Sequence, residues 1–108
     1  MININMLEEM FEGDHEIIQQ LFTLYLSENE SITQDIRLAY ENDNLNELYN
    51  TAHSLSGALG NLCDTNVTCH IKEIEYLTKN DTTPNIDTIN IAIKGLNDIA
   101  EQMKAYLA

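Results

Sequence analysis

The sequence predicts an all-α fold: an up-and-down antiparallel four-helix bundle with a short additional N-terminal helix, in one domain over residues 1–108. Three observations predict it. Apolar residues recur at steps of three and four, the spacing of a buried helical face, and nowhere alternate with period two over a useful length. The single proline and the polar turn residues gather between those stripes. Leu and Ile dominate the apolar residues and aromatics are few, a composition of helical rather than all-β domains.

Ile4, Leu7 and Phe11 place a short first helix over Asn3–Glu12, covering one end of the bundle. Gly13 stops it, and Asp14 can cap the next. The second helix is long, Asp14–Asn42, striped by Ile18, Leu21, Phe22, Tyr25, Ile32, Ile36 and Ala39. The polar run Ser27–Ser31 interrupts that stripe and is where a break is expected, if there is one. Glu41–Asn44 is a turn, and Asn44 with Glu47 resembles a capping box for the third helix. That helix, Leu45–Cys63, carries Leu45, Leu48, Ala52, Leu55, Leu59 and Leu62. Asp64–Asn66 turns the chain. The fourth helix, Asn66–Lys79, uses Val67, Ile71, Ile74 and Leu77. Asn80–Asn85, with Pro84, is a loop. The fifth helix, Ile86–Leu107, uses Ile86, Ile89, Ile93, Leu96, Ala100, Met103 and Leu107.

Eighteen acidic residues face five basic ones, for a net charge of −13. Nucleic acid and direct membrane contact are therefore not expected, since both draw on Lys and Arg. "MININMLEEM" lacks the basic start and apolar run of a signal peptide, and no apolar stretch nears the roughly 20 residues that span a bilayer. A cytoplasmic setting is expected, in which the Asn-x-Ser/Thr matches at Asn29, Asn66 and Asn80 arise by chance. Cys63 and Cys69 do not make a disulfide framework and read as small apolar residues at buried positions. Metal-binding bundles need Glu-x-x-His pairs on two helices. Glu12-x-x-His15 occurs once and spans Gly13, and His70 beside Cys69 has no further ligand at suitable spacing. No metal site is expected, and His15 and His70 read as surface residues.

The third helix holds the chemistry. At 100° per residue, His53 lies about 100° from the middle of the buried stripe, at the edge of the core or in solvent. Gly57 and Gly60 follow it at i+4 and i+7, Ser56 at i+3, and Asn50 precedes it at i−3. From Leu48 to Cys63 the chain has no charged residue. Two glycines weaken a helix by about 1 kcal/mol each, yet they let a large body approach the backbone. Asn50, Ser56, Gly57, Gly60 and Asn61 thus form a candidate docking and access surface around an exposed imidazole. The competing reading is that the glycines serve tight helix packing. Counting back through the turns, the neighbouring helices reach the level of His53 near Gln34 and Tyr76.

"AHSLSGALGNL" resembles the signature of histidine-containing phosphotransfer (HPt) domains, with Ala52, His53, Leu55, Gly57, Gly60 and Asn61 matching position by position. "MLEEMFEGDHEIIQQLFTLYL" is similar to the family's N-terminal segment. "IKEIEYL" is similar to its later Leu-Glu segment, with Ile74 and Glu75 in those places. The resemblance implies that His53 is the phosphoacceptor, at Nε2. The phosphoryl group comes from, and passes to, aspartates on response-regulator receiver domains. It implies a cognate hybrid sensor histidine kinase as partner. The chain is either a free-standing carrier or the C-terminal module of such a kinase; the abrupt entry at "MININMLEEM" favours the module, which would be tethered to the inner membrane through the rest of the kinase. It also implies a monomer when isolated and no cofactor on this chain, Mg²⁺ being carried by the receiver. No Gly-rich phosphate loop or Walker pattern occurs, so no nucleotide site and no kinase activity are expected. One position departs from the family: the usual Lys three residues after the histidine is Ser56. Gln34, Lys72 and Lys79 are the candidates for supporting the phosphoryl group in its place. The alternative is an HPt-like module that binds a receiver or kinase without carrying phosphate.

Overall fold

The signals predicted at Gly13, Asp14 and Asn44 act where the sequence places them. In the computed structural model, which describes residues 1–64 and 66–108, six helices form among the described residues. Thr65, within the predicted Asp64–Asn66 turn, lies outside them. Helix α1 is Ile4–Met10, opened by the Asn3 side chain, which accepts the Met6 N–H. Gly13 follows with φ of +77°, a backbone state that costs glycine little, and its N–H reaches back to the Glu8 carbonyl at 2.7 Å. The Asp14 carboxylate then accepts the N–H groups of Glu16 and Ile17 and starts α2.

The long second helix is two helices, α2 (His15–Glu28) and α3 (Ile32–Glu41). The break falls inside the polar run. Asn29 engages the Tyr25 carbonyl twice, through its backbone N–H at 3.0 Å and its side-chain amide at 2.9 Å. The Ile32 N–H turns back only three residues, to the Asn29 carbonyl. A tight turn thereby replaces the α-helical ladder, as short polar side chains that compete for backbone groups allow. Next come α4 (Leu45–Asn61), α5 (Asn66–Lys79) and α6 (Ile86–Leu107). Asn44 caps α4 by accepting the Glu47 N–H at 3.1 Å.

The packing closes a ring of four rods. Helices α2 and α3 follow one another along α6, α3 packs on α4, α4 on α5, and α5 on α6. Cross-contacts give the directions. His15 at the start of α2 meets Tyr106 at the end of α6, and Arg37 in α3 meets Asn90 near the start of α6, so these rods are antiparallel. In the same way His53 and Ser56 of α4 meet Glu75 of α5, while Asp64 meets Thr68 beside the turn. The fold is thus the predicted bundle with one rod bent at Asn29–Ser31.

The core runs along the bundle axis through Phe22, Ile36, Leu48, Leu55, Leu59, Ile71, Ile74, Ile89, Leu96 and Ile99. Two stripe positions differ from expectation. Thr78, rather than Leu77, is buried near the end of α5, its hydroxyl donating to the Ile74 carbonyl at 2.7 Å, and Ile86 is exposed. Gly95 is the packing glycine: a Cβ there would lie 2.6 Å from Val67 Cγ2, which brings α5 and α6 close together.

The N-terminal segment covers the end that holds the α4–α5 turn. Gln102 bonds Ile2 at both its N–H and its carbonyl at 2.8 Å, the Asn3 N–H donates to the Cys63 carbonyl, and Leu7 is wholly buried. Beneath it, the Asp64 Oδ2 accepts the backbone N–H and the hydroxyl of Thr68 at 2.7 and 2.9 Å. The buried hydroxyl of Tyr25 has no hydrogen-bond partner among the described residues, and burial, aided by the charge of Asp64, pushes its pKa up to about 12. Cys63 is half-buried with its sulfur 3.3 Å from that of Met10, but Cys69, expected in the core, is exposed because it lies off the Val67–Ile71–Ile74 stripe. No helix is long and apolar enough to cross a membrane among the described residues.

Candidate functional site

Burial of Leu48, Ala52, Leu55 and Leu59 sets the rotation of α4 about its axis and turns the next residue, His53, to the rim of the core. Its side chain is 66% exposed. Asn50, Ser54, Gly57, Gly60 and Asn61 are exposed on the same helix, and Ser56 is half-buried. A Cβ built at Gly57 or at Gly60 meets nothing within 4 Å. Helix packing therefore does not account for either glycine, in contrast to Gly95, and both leave bare backbone facing outward beside the imidazole.

Two groups hold the ring. Tyr49, one turn earlier on α4, stacks on it with centroids 5.8 Å apart and planes 16° apart. From α5, Glu75 places Oε2 2.8 Å from His53 Nδ1. The other carboxylate oxygen of Glu75 lies 3.1 Å from the Ser56 hydroxyl, which also sits 3.0 Å from the His53 carbonyl. The hydrogen bond from His53 is the main reason the Glu75 carboxyl is held below its ordinary pKa; burial works against this, while Ser56, the charge of His53 and Lys79 add to it. Glu75 is thus ionised at neutral pH and can only accept. In the neutral imidazole the proton that faces Glu75 sits on Nδ1, the tautomer in which the lone pair is on Nε2, on the far side of the ring from Glu75.

The sequence-predicted residues divide accordingly. His53, Asn50, Ser56, Gly57, Gly60 and Asn61 share one face of α4. Gln34 is exposed on α3 and makes no hydrogen bond to the ring among the described residues. Lys72 and Lys79 are exposed on α5 and form no ion pair among the described residues, although the charge of Lys79 reaches the Glu75 carboxyl. The group actually against the imidazole is an acid, not a cation. Register counting from the sequence points one residue away, to Tyr76. For Tyr49 the sequence signal is its i−4 spacing from His53 on the same helix.

Beyond Ala58 the face continues into a groove of about 220 Å³ between α2 and α4, lined by Leu21, Leu24, Glu28, Ala58 and Asn61, with Leu24 largely exposed. A larger groove of about 500 Å³ runs along α6 beside the α2–α3 junction, past Leu26, Ile32, Asn97 and Ala100, and contains no histidine or cysteine. No group of three or more His, Cys, Asp or Glu side chains is arranged to hold a metal among the described residues.

The family model described as Hpt domain matches residues 20–106, a span that includes α3 to α5, His53 and Glu75. No curated protein and no solved structure matches the chain.

Proposed function

The chain belongs to the Hpt domain family, and from that premise we propose that it is a phosphorelay carrier in which His53 Nε2 takes a phosphoryl group from a receiver aspartate and hands it to another. Domains of this family serve phosphotransfer in two-component signalling without kinase activity of their own, working with receiver domains and histidine kinases.

The observation that carries the assignment to His53 is the 2.8 Å contact between Nδ1 and Glu75 on an otherwise open face. The Nε2 lone pair attacks the phosphorus of an aspartyl phosphate. The P–O bond breaks, and the aspartate carboxylate leaves with the electron pair. Nδ1 keeps its proton throughout, so the ring becomes an imidazolium facing Glu75. The positive ring nitrogen is a good leaving group, and the reverse step delivers the phosphoryl group to the next receiver. Because phosphoryl transfer depends on alignment and charge stabilisation, the carrier's share is an oriented ring and a surface that fits. Gly57 and Gly60 admit the receiver's backbone, and Leu24 beside the α2–α4 groove offers it an apolar anchor. Mg²⁺ and most of the positive charge come with the receiver. A hybrid sensor histidine kinase is the natural source of the phosphoryl group.

The test is incubation with a radiolabelled, phosphorylated receiver. The carrier should gain acid-labile, base-stable label, and His53→Gln should gain none while keeping its helical circular dichroism. Label retained in that variant removes His53 from the role.

A further inference from the structure

The two groups that hold the imidazole do so from different directions. Glu75 meets one edge, at Nδ1, and Tyr49 covers a flat face. A neutral ring gains little from that face beyond contact. A positively charged ring gains more, because the face of an aromatic ring carries negative charge density. On the phosphocarrier reading above, the ring changes between these two states at every transfer. The nucleophile adds phosphorus at Nε2, the donor's P–O bond breaks, the carboxylate departs with its electron pair, and the Nδ1 proton stays. The imidazole gains one positive charge.

We infer that Tyr49 is a positioning residue that stabilises phosphorylated His53 by presenting its ring face to the imidazolium, and so shifts the phosphoryl equilibrium towards the carrier. The role falls to Tyr49 because the structure places no other aromatic ring against His53 among the described residues. Ser56, where a cation could stand, is neutral. Tyr49 is half-buried, which fixes its ring without removing it from solvent.

The experiment compares the full chain with Tyr49→Phe and Tyr49→Leu. Phe keeps the aromatic face. Leu keeps apolar bulk and is a better helix former, but has no π-system. An exposed cation–π pair is worth about 0.5–1 kcal/mol, which at 1.4 kcal/mol per tenfold is a factor of roughly two to five. The ratio of phosphorylated carrier to phosphorylated receiver at equilibrium should fall two- to fivefold in Tyr49→Leu and be restored in Tyr49→Phe. In the unphosphorylated chain, the His53 ring-proton resonances should move downfield in Tyr49→Leu as the ring current is lost, and stay in place in Tyr49→Phe. A wild-type chain that takes the label, with both variants matching its ratio, overturns the role of Tyr49 and leaves the carrier reading standing. Ring resonances unmoved in Tyr49→Leu overturn it without reference to phosphate. A wild-type chain that takes no label overturns the carrier reading itself.

Discussion

Replacing Glu75 by Gln keeps the size of the side chain and an acceptor oxygen but removes the charge that faces Nδ1. The wild-type carboxylate is half-buried and spans His53 and Ser56 at 2.8 and 3.1 Å. A hydrogen bond to a charged group contributes about 1.5–3 kcal/mol, and exposure of the ring argues for a reduced value of about 1–2 kcal/mol. That loss falls mainly on the transition state, in which the ring is becoming an imidazolium, and corresponds to a roughly five- to thirtyfold slower transfer at 1.36 kcal/mol per tenfold. The glutamine amide can also donate to Nδ1, which favours the tautomer with its proton on Nε2 and blocks the nucleophile. The assay is rapid-quench, single-turnover transfer from a labelled receiver. It is joined by nitrogen NMR of the ring, where the Nδ1–H form should lose population. Because the folded state holds the Glu75 pKa low, its stabilising effect is present above the ordinary carboxylate pKa and lost as pH falls through the folded value. The glutamine variant lacks that acid-side slope. Transfer within twofold of wild type, with the tautomer unchanged, would refute the reasoning.

Gly57→Leu should hold or raise the melting temperature, since its Cβ enters open space and the helix gains about 1 kcal/mol of propensity, while transfer falls at least tenfold; normal kinetics would return the glycine to mere tolerance. Ser56→Lys puts an ammonium within reach of Glu75 and about 6 Å from the ring by helix spacing, where its attraction to each phosphate charge is on the order of 1 kcal/mol. The carrier-to-receiver phosphate ratio should then rise roughly fivefold at low salt, and a change below about twofold rejects position 56 as the missing support. Tyr25→Phe should stabilise the fold by about 1 kcal/mol at pH 7, because it deletes a buried hydroxyl without a partner among the described residues. Wild-type Tyr25 ionises near pH 10 when unfolded and near 12 when folded, so its protonated form favours the fold below pH 10 and that advantage is lost as pH rises to 12. Denaturant melts of both proteins at pH 7 and 11 should show a steeper alkaline loss in wild type, and parallel losses would contradict the assignment.

The parts of the fold legible in the sequence are those set by neighbours along the chain. Asp14, Asn44 and Gly13 act through groups two to five residues away, and the α4 stripe alone places His53 at the rim of the core. The break at Asn29 was visible as a polar interruption. Whether it would open depended on Asn29 securing the Tyr25 carbonyl, which polarity alone does not decide. Glu75 was harder to read. Its place opposite His53 depends on the register of α5 against α4, and the connecting turn holds Cys63 at φ of +61°, a state its residue type does not advertise. An error of one residue across that turn exchanges an acid for Tyr76, which is enough to misjudge the electrostatics of the site.

The stacked pair on α4 has a practical side. The chain contains no tryptophan and five tyrosines, so near-ultraviolet absorption and emission come chiefly from tyrosine. One of the five, Tyr49, lies 5.8 Å from the His53 ring, whose charge changes at each transfer on the proposed mechanism. The protein therefore carries an intrinsic chromophore next to the proposed phosphoacceptor. On that mechanism a transfer event should be visible as it happens, on the native chain, with no dye attached.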